Sequence, residues 1–254
     1  MTDTSPDMVV PAATLVIFRE QGDGPPELLM VERGRTMAFA AGAMVFPGGR
    51  VDEGDRRLAA AMDRTDDATV GMIAAIRETI EECGLPLGLS TPPTPKALER
   101  MRAALNGAVP IGTALGEAGC TLDLAALVPF ARWRPAHRHA RLFDTRFFLA
   151  RLPAGAPPAR VDMTENVRLV WTTAQGMLDA ADAGHATIIF PTRRNLERLA
   201  QFAGFDAAAA QARAMPDRVV TPWIETRDGE EYLCIPDDLG YPVTAERMTG
   251  ALRG

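Results

Sequence analysis

The segment VGMIAAIRETIEEC, residues 70–83, constrains the fold more than any other part of this chain. Isoleucines recur at helical spacing at Ile73, Ile76 and Ile80, and they form one apolar stripe that has to be buried. Gly84 follows directly, at the place where a left-handed residue commonly ends a helix. The sequence therefore predicts a helix that packs on a core through one face and stops at this glycine.

An acidic cluster occupies the other face of this helix, at its C-terminal end. Glu78, Glu81 and Glu82 lie at positions i, i+3 and i+4, and Arg77 can pair with Glu81 four residues later. The helix dipole disfavours negative charge at this end, and partial burial would raise the cost further. A divalent cation would remove that cost, because carboxylate oxygens are the ligands that hard cations prefer. A solvated charged face is the alternative interpretation.

A glycine-containing stretch, GGRVDEGD, precedes the helix. Together with RETIEECGL it resembles the two halves of the Nudix box, with Gly49 at the anchoring glycine and Asp55 where the family usually has glutamate. Thr79 stands at a position that is usually apolar. Residues 56–76 separate Asp55 from Arg77, which is 21 residues where the usual motif has seven, so 14 are extra.

The resemblance implies a role for each matching residue. Glu78 and Glu82 are the expected principal metal ligands, and Glu81 is a further ligand or the partner of a metal-bound water. Gly49 would lend a backbone carbonyl, and Arg77 would orient the glutamates. The implied cofactor is Mg²⁺ or Mn²⁺, and the implied chemistry is metal-assisted hydrolysis of a diphosphate. The same resemblance places Arg77, Glu81 and Glu82 among the catalytic residues.

The extra residues are compatible with a single site. Each doubling of a surface loop's length costs only about 0.6 kcal/mol. Residues 56–67 can form a short helix of their own, after which Asp66 or Asp67 can cap the glutamate helix. We therefore expect a box that is split across residues 49–85, with an insertion over about 56–69.

The stretch before the box gives a first indication of the substrate. Residues 28–49, LLMVERGRTMAFAAGAMVFPGG, are similar to the motif that precedes the box in coenzyme A diphosphatases. Arg33 and Gly42 keep the spacing of that motif, whereas Ala38 replaces its second arginine. The expected substrate-binding residues are Arg33, Arg35, Gly48 and Gly49.

A further resemblance covers roughly residues 10–245. The branch of acyl-CoA diphosphatases with an insertion inside the box is similar in FDTRFFLA (143–150), in the strand ending at Trp171, and in FPTRRNLERL (190–199). This implies hydrolysis of CoA or acyl-CoA to 3′,5′-ADP and (acyl-)4′-phosphopantetheine. One alternative is a Nudix hydrolase of ADP-ribose or another nucleoside diphosphate derivative. The other is a non-catalytic nucleotide-binding or regulatory protein.

A general base and further cations are also expected. Glu165 lies before a late strand, where many relatives carry a catalytic glutamate; Asp162 is a near alternative, and Glu82 could itself activate a metal-bound water. Asp144 lies inside a strand pattern and is expected to be structural. One basic stretch could bind phosphate or form a solvated loop; it contains Arg132, Arg134, His137, Arg138, His139 and Arg141.

The order of predicted elements is strands, a helix, strands and then helices, which indicates an α+β fold. We expect a Nudix-type α/β/α sandwich with a mixed sheet over residues 10–172, and C-terminal helices with a hairpin over 173–254 packed on it. Local signals include a helix from Thr94 to Asn106-Gly107, a capping box with Thr172 at the N-cap and Gln175 at N3, helices over 192–204 and 206–215, and a hairpin turn at Asp228-Gly229.

Composition and charge limit the kinds of molecule that this protein is expected to bind. The net charge of −6 argues against generic nucleic-acid binding. The three cysteines form no disulfide or metal-ligand pattern, and no signal-peptide pattern or long apolar run occurs, so a cytoplasmic protein without a membrane span is expected. The expected partner is a small CoA-type diphosphate, and a homodimer is left open.

Overall fold

The computed structural model describes residues 9–22, 24–34, 40–134, 142–163 and 165–248. Several residues singled out from the sequence lie outside these ranges: Arg35, Ala38, His137, Arg138, His139 and Arg141.

A mixed sheet forms the centre of the molecule. Its strands are β1 (Val9–Gln21), β2 (Gly24–Arg33), β3 (Met44–Val45), β4 (Gly48–Arg50), β5 (Val128–Trp133), β6 (Leu142–Arg151), β7 (Asn166–Thr173) and β8 (Val219–Val220). Along the main path the order is β3-β2-β1-β6-β5-β8, while β4 pairs with β1 and β7 with β2. The β1–β6 and β5–β8 pairs are parallel and the other pairs are antiparallel.

Helices cover both faces of this sheet. They are α1 (Glu53–Ala61), α2 (Asp67–Cys83), α3 (Pro95–Asn106), α4 (Ile111–Ala118), α5 (Ala174–Asp182), α6 (Phe190–Leu199) and α7 (Phe205–Ala214). Successive side chains of β1 point to opposite faces. Leu15 and Ile17 join the core under α1–α4, and Val16 and Phe18 join the core under α5–α7. The predicted α+β sandwich with a mixed sheet is confirmed.

Helix α2 is the amphipathic helix that the sequence predicted. Its N-cap is Asp66, whose side chain accepts a hydrogen bond of 2.9 Å from the Thr69 main-chain N–H. Gly84 ends it in the left-handed region, with φ of 65°. Ile73, Ile76 and Ile80 are each 0% exposed. Part of the extra segment of the split box forms α1, which begins at Glu53, three residues earlier than the predicted helix.

The residues after 172 supply the second helical layer, and β8 extends the central sheet. A separate three-stranded antiparallel sheet follows, made of β9 (Trp223–Arg227), β10 (Glu230–Cys234) and β11 (Ala245–Arg247). Its first turn is the predicted hairpin turn, with positive φ at Asp228 and Gly229. Among the residues that the structure describes, no helix is long and apolar enough to cross a bilayer.

Two local predictions are wrong. The capping box is displaced by one residue, because α5 has Thr173 at its N-cap and the Thr173 hydroxyl oxygen accepts from the Gly176 N–H at 2.9 Å. Gln175 instead donates to Asp179 within the helix. The helix expected over 192–204 is α6. It begins earlier, at Phe190 with Pro191 in its first turn, and it ends earlier, at Leu199.

Candidate metal and diphosphate site

The two half-motifs meet in the structure. Strand β4 lies against the C-terminal half of α2, and the Gly48 main-chain N–H donates to Glu82 Oε2 at 2.9 Å. A Cβ atom at Gly49 would collide with the Glu78 carboxylate, and one at Gly48 would collide with the main chain of Ala13 and Thr14. Gly48 therefore needs to be glycine, because its clash is with main-chain atoms, whereas a side chain at Gly49 would displace the Glu78 carboxylate.

Arg77 is the centre of the charge network on α2. Its guanidinium donates two hydrogen bonds of 3.0 Å to the Asp55 carboxylate, one of 2.9 Å to Glu78 and one of 3.0 Å to Glu81. A fifth contact, 2.8 Å long, reaches the Arg50 carbonyl oxygen. Burial lowers the pKa of Arg77, but the Asp55 hydrogen bonds and the neighbouring carboxylates outweigh it and raise that pKa above its ordinary value. Arg77 thus binds both glutamates and Asp55 at once.

Asp55 is the buried ion-pair partner of Arg77, although its side chain is shorter than that of glutamate. It is 0% exposed and sits in the first turn of α1, where its carboxylate also accepts from the Asp52 N–H at 2.7 Å. Because α1 turns Asp55 toward α2, the shorter side chain still reaches Arg77 with both oxygens.

Glu82 is held through both carboxylate oxygens. Gly48 N–H binds Oε2, and Asn166 Nδ2 donates to Oε1 at 2.8 Å. Asn166 is the first residue of β7 and is 0% exposed, and its main-chain N–H donates to Asp162. Its own Oδ1 is buried and has no hydrogen-bond partner among the described atoms. No spacing signal singled out Asn166 in the sequence, because it lies 84 residues from Glu82.

Burial changes the acidity of the cluster. It raises the pKa of Glu78 to about 8 and that of Glu82 to about 7, although Arg77 lowers the first and the Asn166 and Gly48 hydrogen bonds lower the second. Burial also raises the pKa of Glu81. These carboxylates therefore resist ionisation unless a cation compensates their charge.

The donor set fits a hard divalent cation. The charge of Glu82 raises the pKa of Glu78, and the buried Oδ1 of Asn166, which has no hydrogen-bond donor, lies next to Glu82. Among the described residues no three His, Cys, Asp or Glu side chains form a ready metal cage. Glu78, Glu81 and Glu82 therefore do not converge as a three-carboxylate site, and a cation held here would take one or two of them, with phosphate and water as its other ligands.

Arg33 and Glu165 lie at the rim beside Glu82. Arg33 ends β2, its Nη2 is 3.9 Å from Glu165 Oε2, and its charge lowers the pKa of Glu82. The Glu165 side chain is 61% exposed, while its main-chain N–H donates to Asp162 Oδ2 at 2.7 Å. The structure thus brings Arg33, Glu165, the glycines and the three glutamates together.

Of the basic stretch, the structure describes Arg132 and Arg134, and both lie beside a different carboxylate, that of Asp144. Arg132 makes two hydrogen bonds of 2.7 and 2.8 Å to Asp144, and Arg134 is 3.9 Å from the same carboxylate, which confirms a structural role for Asp144. Arg132 and Arg146 line a solvent-open cleft at the β5 edge. None of the α2 glutamates lines this cleft.

Known proteins resemble the chain in sequence and in fold. No protein-family model matches it. It is 27% identical over 219 residues to "Putative nudix hydrolase 7" of Caenorhabditis elegans, a match that spans 84% of this chain and 69% of the relative. The crystal structure of a NUDIX hydrolase from Alicyclobacillus acidocaldarius superposes with a TM-score of 0.70 at 29% identity, over 81% of this chain and 97% of that one.

The chain has the Nudix fold. Its similarity to these two Nudix hydrolases supports that family, and it supports a hydrolase that acts on pyrophosphate bonds. Nudix hydrolases generally use divalent metal ions, which agrees with the donor set around Glu78 and Glu82. The site that resembles the Nudix box is assembled from residues that are separated by the α1 segment.

Proposed function

We propose that this chain hydrolyses the diphosphate bond of coenzyme A or acyl-CoA, in a reaction that depends on Mg²⁺ or Mn²⁺. The products are 3′,5′-ADP and (acyl-)4′-phosphopantetheine. The observation that carries the proposal is the Glu78–Glu82 pair, packed against the Gly48-Gly49 loop with Arg33 at its rim. Arg33 belongs to the stretch that resembles the motif of coenzyme A diphosphatases, and its positive charge lowers the pKa of Glu82.

Each site residue has its own role in the proposed reaction. Glu78 and Glu82 would hold the cation, with Glu81 and the Gly49 carbonyl as further partners. When bound, the cation neutralises phosphate charge and lowers the pKa of a coordinated water. Arg77 keeps Glu78 and Glu81 oriented, Gly48 and Asn166 keep Glu82 oriented, and Arg33 supplies positive charge for the substrate phosphates.

Two carboxylates are suited to accept the proton of the attacking water. Glu165 is exposed at the rim and close to Arg33, so it can meet a water beside the bound diphosphate. Glu82 is the alternative, and it already accepts one hydrogen bond on each oxygen. We assign the base to Glu165; a Glu165→Gln variant that keeps wild-type kcat would transfer the role to Glu82.

Direct incubation tests the substrate. The purified protein is mixed with CoA, acetyl-CoA, ADP-ribose and NADH, with Mg²⁺ or Mn²⁺, and products are identified by mass. We expect CoA and acetyl-CoA to give 3′,5′-ADP. Cleavage of ADP-ribose alone would support the alternative Nudix activity, which the replacement of the second arginine by Ala38 favours. No turnover by the folded protein would indicate the non-catalytic binding or regulatory alternative.

Glu82→Gln tests the metal assignment. The variant keeps the shape of the side chain but loses the charge that would bind a cation, so we expect kcat to fall by at least about a hundredfold while the fold is retained. Glu99→Gln, at an exposed position of α3, is the matched control and should keep wild-type activity. Wild-type turnover by Glu82→Gln would refute the assignment.

A further inference from the structure

Arg102 reaches the acidic end of α2 from outside both half-motifs. It lies on α3, and its Nε donates to the Glu81 carbonyl oxygen at 2.9 Å. Its Nη2 donates to the Glu82 carbonyl oxygen at 2.9 Å and to the Arg160 carbonyl oxygen at 2.8 Å. One guanidinium therefore binds the main chain of two acidic-cluster residues and of the segment that leads to β7.

These contacts complete the end of α2. The last four carbonyls of a helix have no partner inside it. Gly84 N–H binds the Ile80 carbonyl, Arg102 binds those of Glu81 and Glu82, and Arg160 N–H binds that of Cys83. All four carbonyls thus have a hydrogen-bond donor, and for two of them the donor is the charged guanidinium of Arg102. The positive charge of Arg102 also opposes the negative end of the helix dipole, to which the neighbouring glutamates add further negative charge.

The same contacts join the two parts of the site that hold Glu82. The chain runs from Arg160 through Asp162, which accepts from the Asn166 N–H, to Asn166, which binds the Glu82 side chain. Arg102 therefore binds the main chain of Glu82 directly. It also binds Arg160, at the start of the segment in which Asn166 donates to the Glu82 carboxylate.

We propose that Arg102 is a positioning residue for the metal site, an inference that rests on the proposed function. It fixes the last turn of α2 against Arg160, so that the Glu82 carboxylate stays between the Gly48 N–H and Asn166 Nδ2. A planar guanidinium is required, because its fork binds two successive helix carbonyls and the loop carbonyl at once.

Mn²⁺ binding without substrate tests this role. Free Mn²⁺ is measured by electron paramagnetic resonance for the wild type, Arg102→Met, Arg102→Lys and the control Arg100→Met, which changes an exposed arginine on the same helix. Loss of an outer partner that orients a ligand commonly lowers metal affinity about 10- to 100-fold. We expect a loss of about tenfold in Arg102→Met, a smaller loss in Arg102→Lys and none in Arg100→Met.

A kinetic readout separates positioning from general damage. If Arg102 acts through metal binding, Arg102→Met recovers most of the wild-type kcat at saturating Mn²⁺, whereas a partly unfolded enzyme loses kcat at every Mn²⁺ concentration. Wild-type Mn²⁺ affinity in folded Arg102→Met would overturn the inference. If that variant does not fold, wild-type affinity in Arg102→Lys overturns it instead. A wild-type protein that shows neither Mn²⁺ binding nor Mn²⁺-dependent turnover would contradict the proposed function itself.

Discussion

At the scale of single residues, Glu82 is held by partners that come from distant segments: Gly48, Asn166 and Arg102. The glycines and glutamates carry a recognisable spacing, and they meet in the structure. Asn166 and Arg102 carry none, because their contacts with Glu82 depend on how distant segments pack. Asp55 departs from the usual box, and its buried ion pair with Arg77 depends on the position of α1, which the motif alone does not give.

The Asp55–Arg77 pair gives the clearest prediction at this scale. Asp55→Asn leaves Arg77 buried without its full counter-charge, and breaking a buried pair typically costs about 3–5 kcal/mol. We expect a loss of that order in the free energy of unfolding, measured by urea denaturation. Asp52→Asn is the control, since Asp52 is 62% exposed and 3.9 Å from Arg77, and it should change stability by less than about 0.5 kcal/mol. A loss below about 1 kcal/mol for Asp55→Asn would contradict the structural role.

At the scale of elements, long periodic segments were predictable and short ones were not. Helix α2 carries an apolar stripe with a cap at each end, and α3 begins after Thr94 with a proline in its first turn, as predicted. Helix α4 and strands β8 and β11 were missed, because two to eight residues give no reliable periodicity. The displaced capping box of α5 shows that two adjacent threonines offer alternative N-caps.

The N-cap of α2 yields a prediction for an element. The sequence allowed Asp66 or Asp67, and the structure places Asp66 there, with both the main-chain N–H and the hydroxyl of Thr69 donating to its carboxylate. Asp66→Ala should lower the free energy of unfolding by about 1 kcal/mol. Asp67→Ala removes only an exposed first-turn acid and should cost less than about 0.5 kcal/mol. Equal effects of the two variants in urea denaturation would show that the cap is not specific to Asp66.

At the scale of the whole molecule, the layered architecture follows from the strand pattern. The alternation along β1 sends Leu15 and Ile17 to one core and Val16 and Phe18 to the other, so both faces need a helical cover. The residues after 172 provide that cover on one face, through α5, α6 and α7. The alternation of apolar residues in the sequence predicts that both faces of the sheet are buried. Which helices cover each face depends on how the chain connects the strands and helices.

The buried acids make the stability of the metal-free molecule depend on pH. Folding raises the pKa of Glu78 to about 8 and that of Glu82 to about 7, above the ordinary value of 4.5. Between pH 5 and 8 the folded state therefore binds more protons than the unfolded state, so its stability falls as pH rises. In a chelator, we expect the Tm to be lower at pH 8 than at pH 5.5. Burial raises the pKa of Glu197 to about 7 as well, and it adds to the same trend.

Glu78→Gln and added Mn²⁺ isolate the contribution of the metal site to this trend. The amide cannot ionise, so the variant should show a smaller fall in Tm between pH 5.5 and 8 than the wild type. Bound Mn²⁺ stabilises the ionised carboxylates, so it should raise the wild-type Tm more at pH 8 than at pH 5.5, with release of protons on binding. Differential scanning calorimetry with and without Mn²⁺ measures both effects. A Tm of the chelated wild type that rises from pH 5.5 to 8 would contradict the raised pKa values of the two buried glutamates, Glu78 and Glu82.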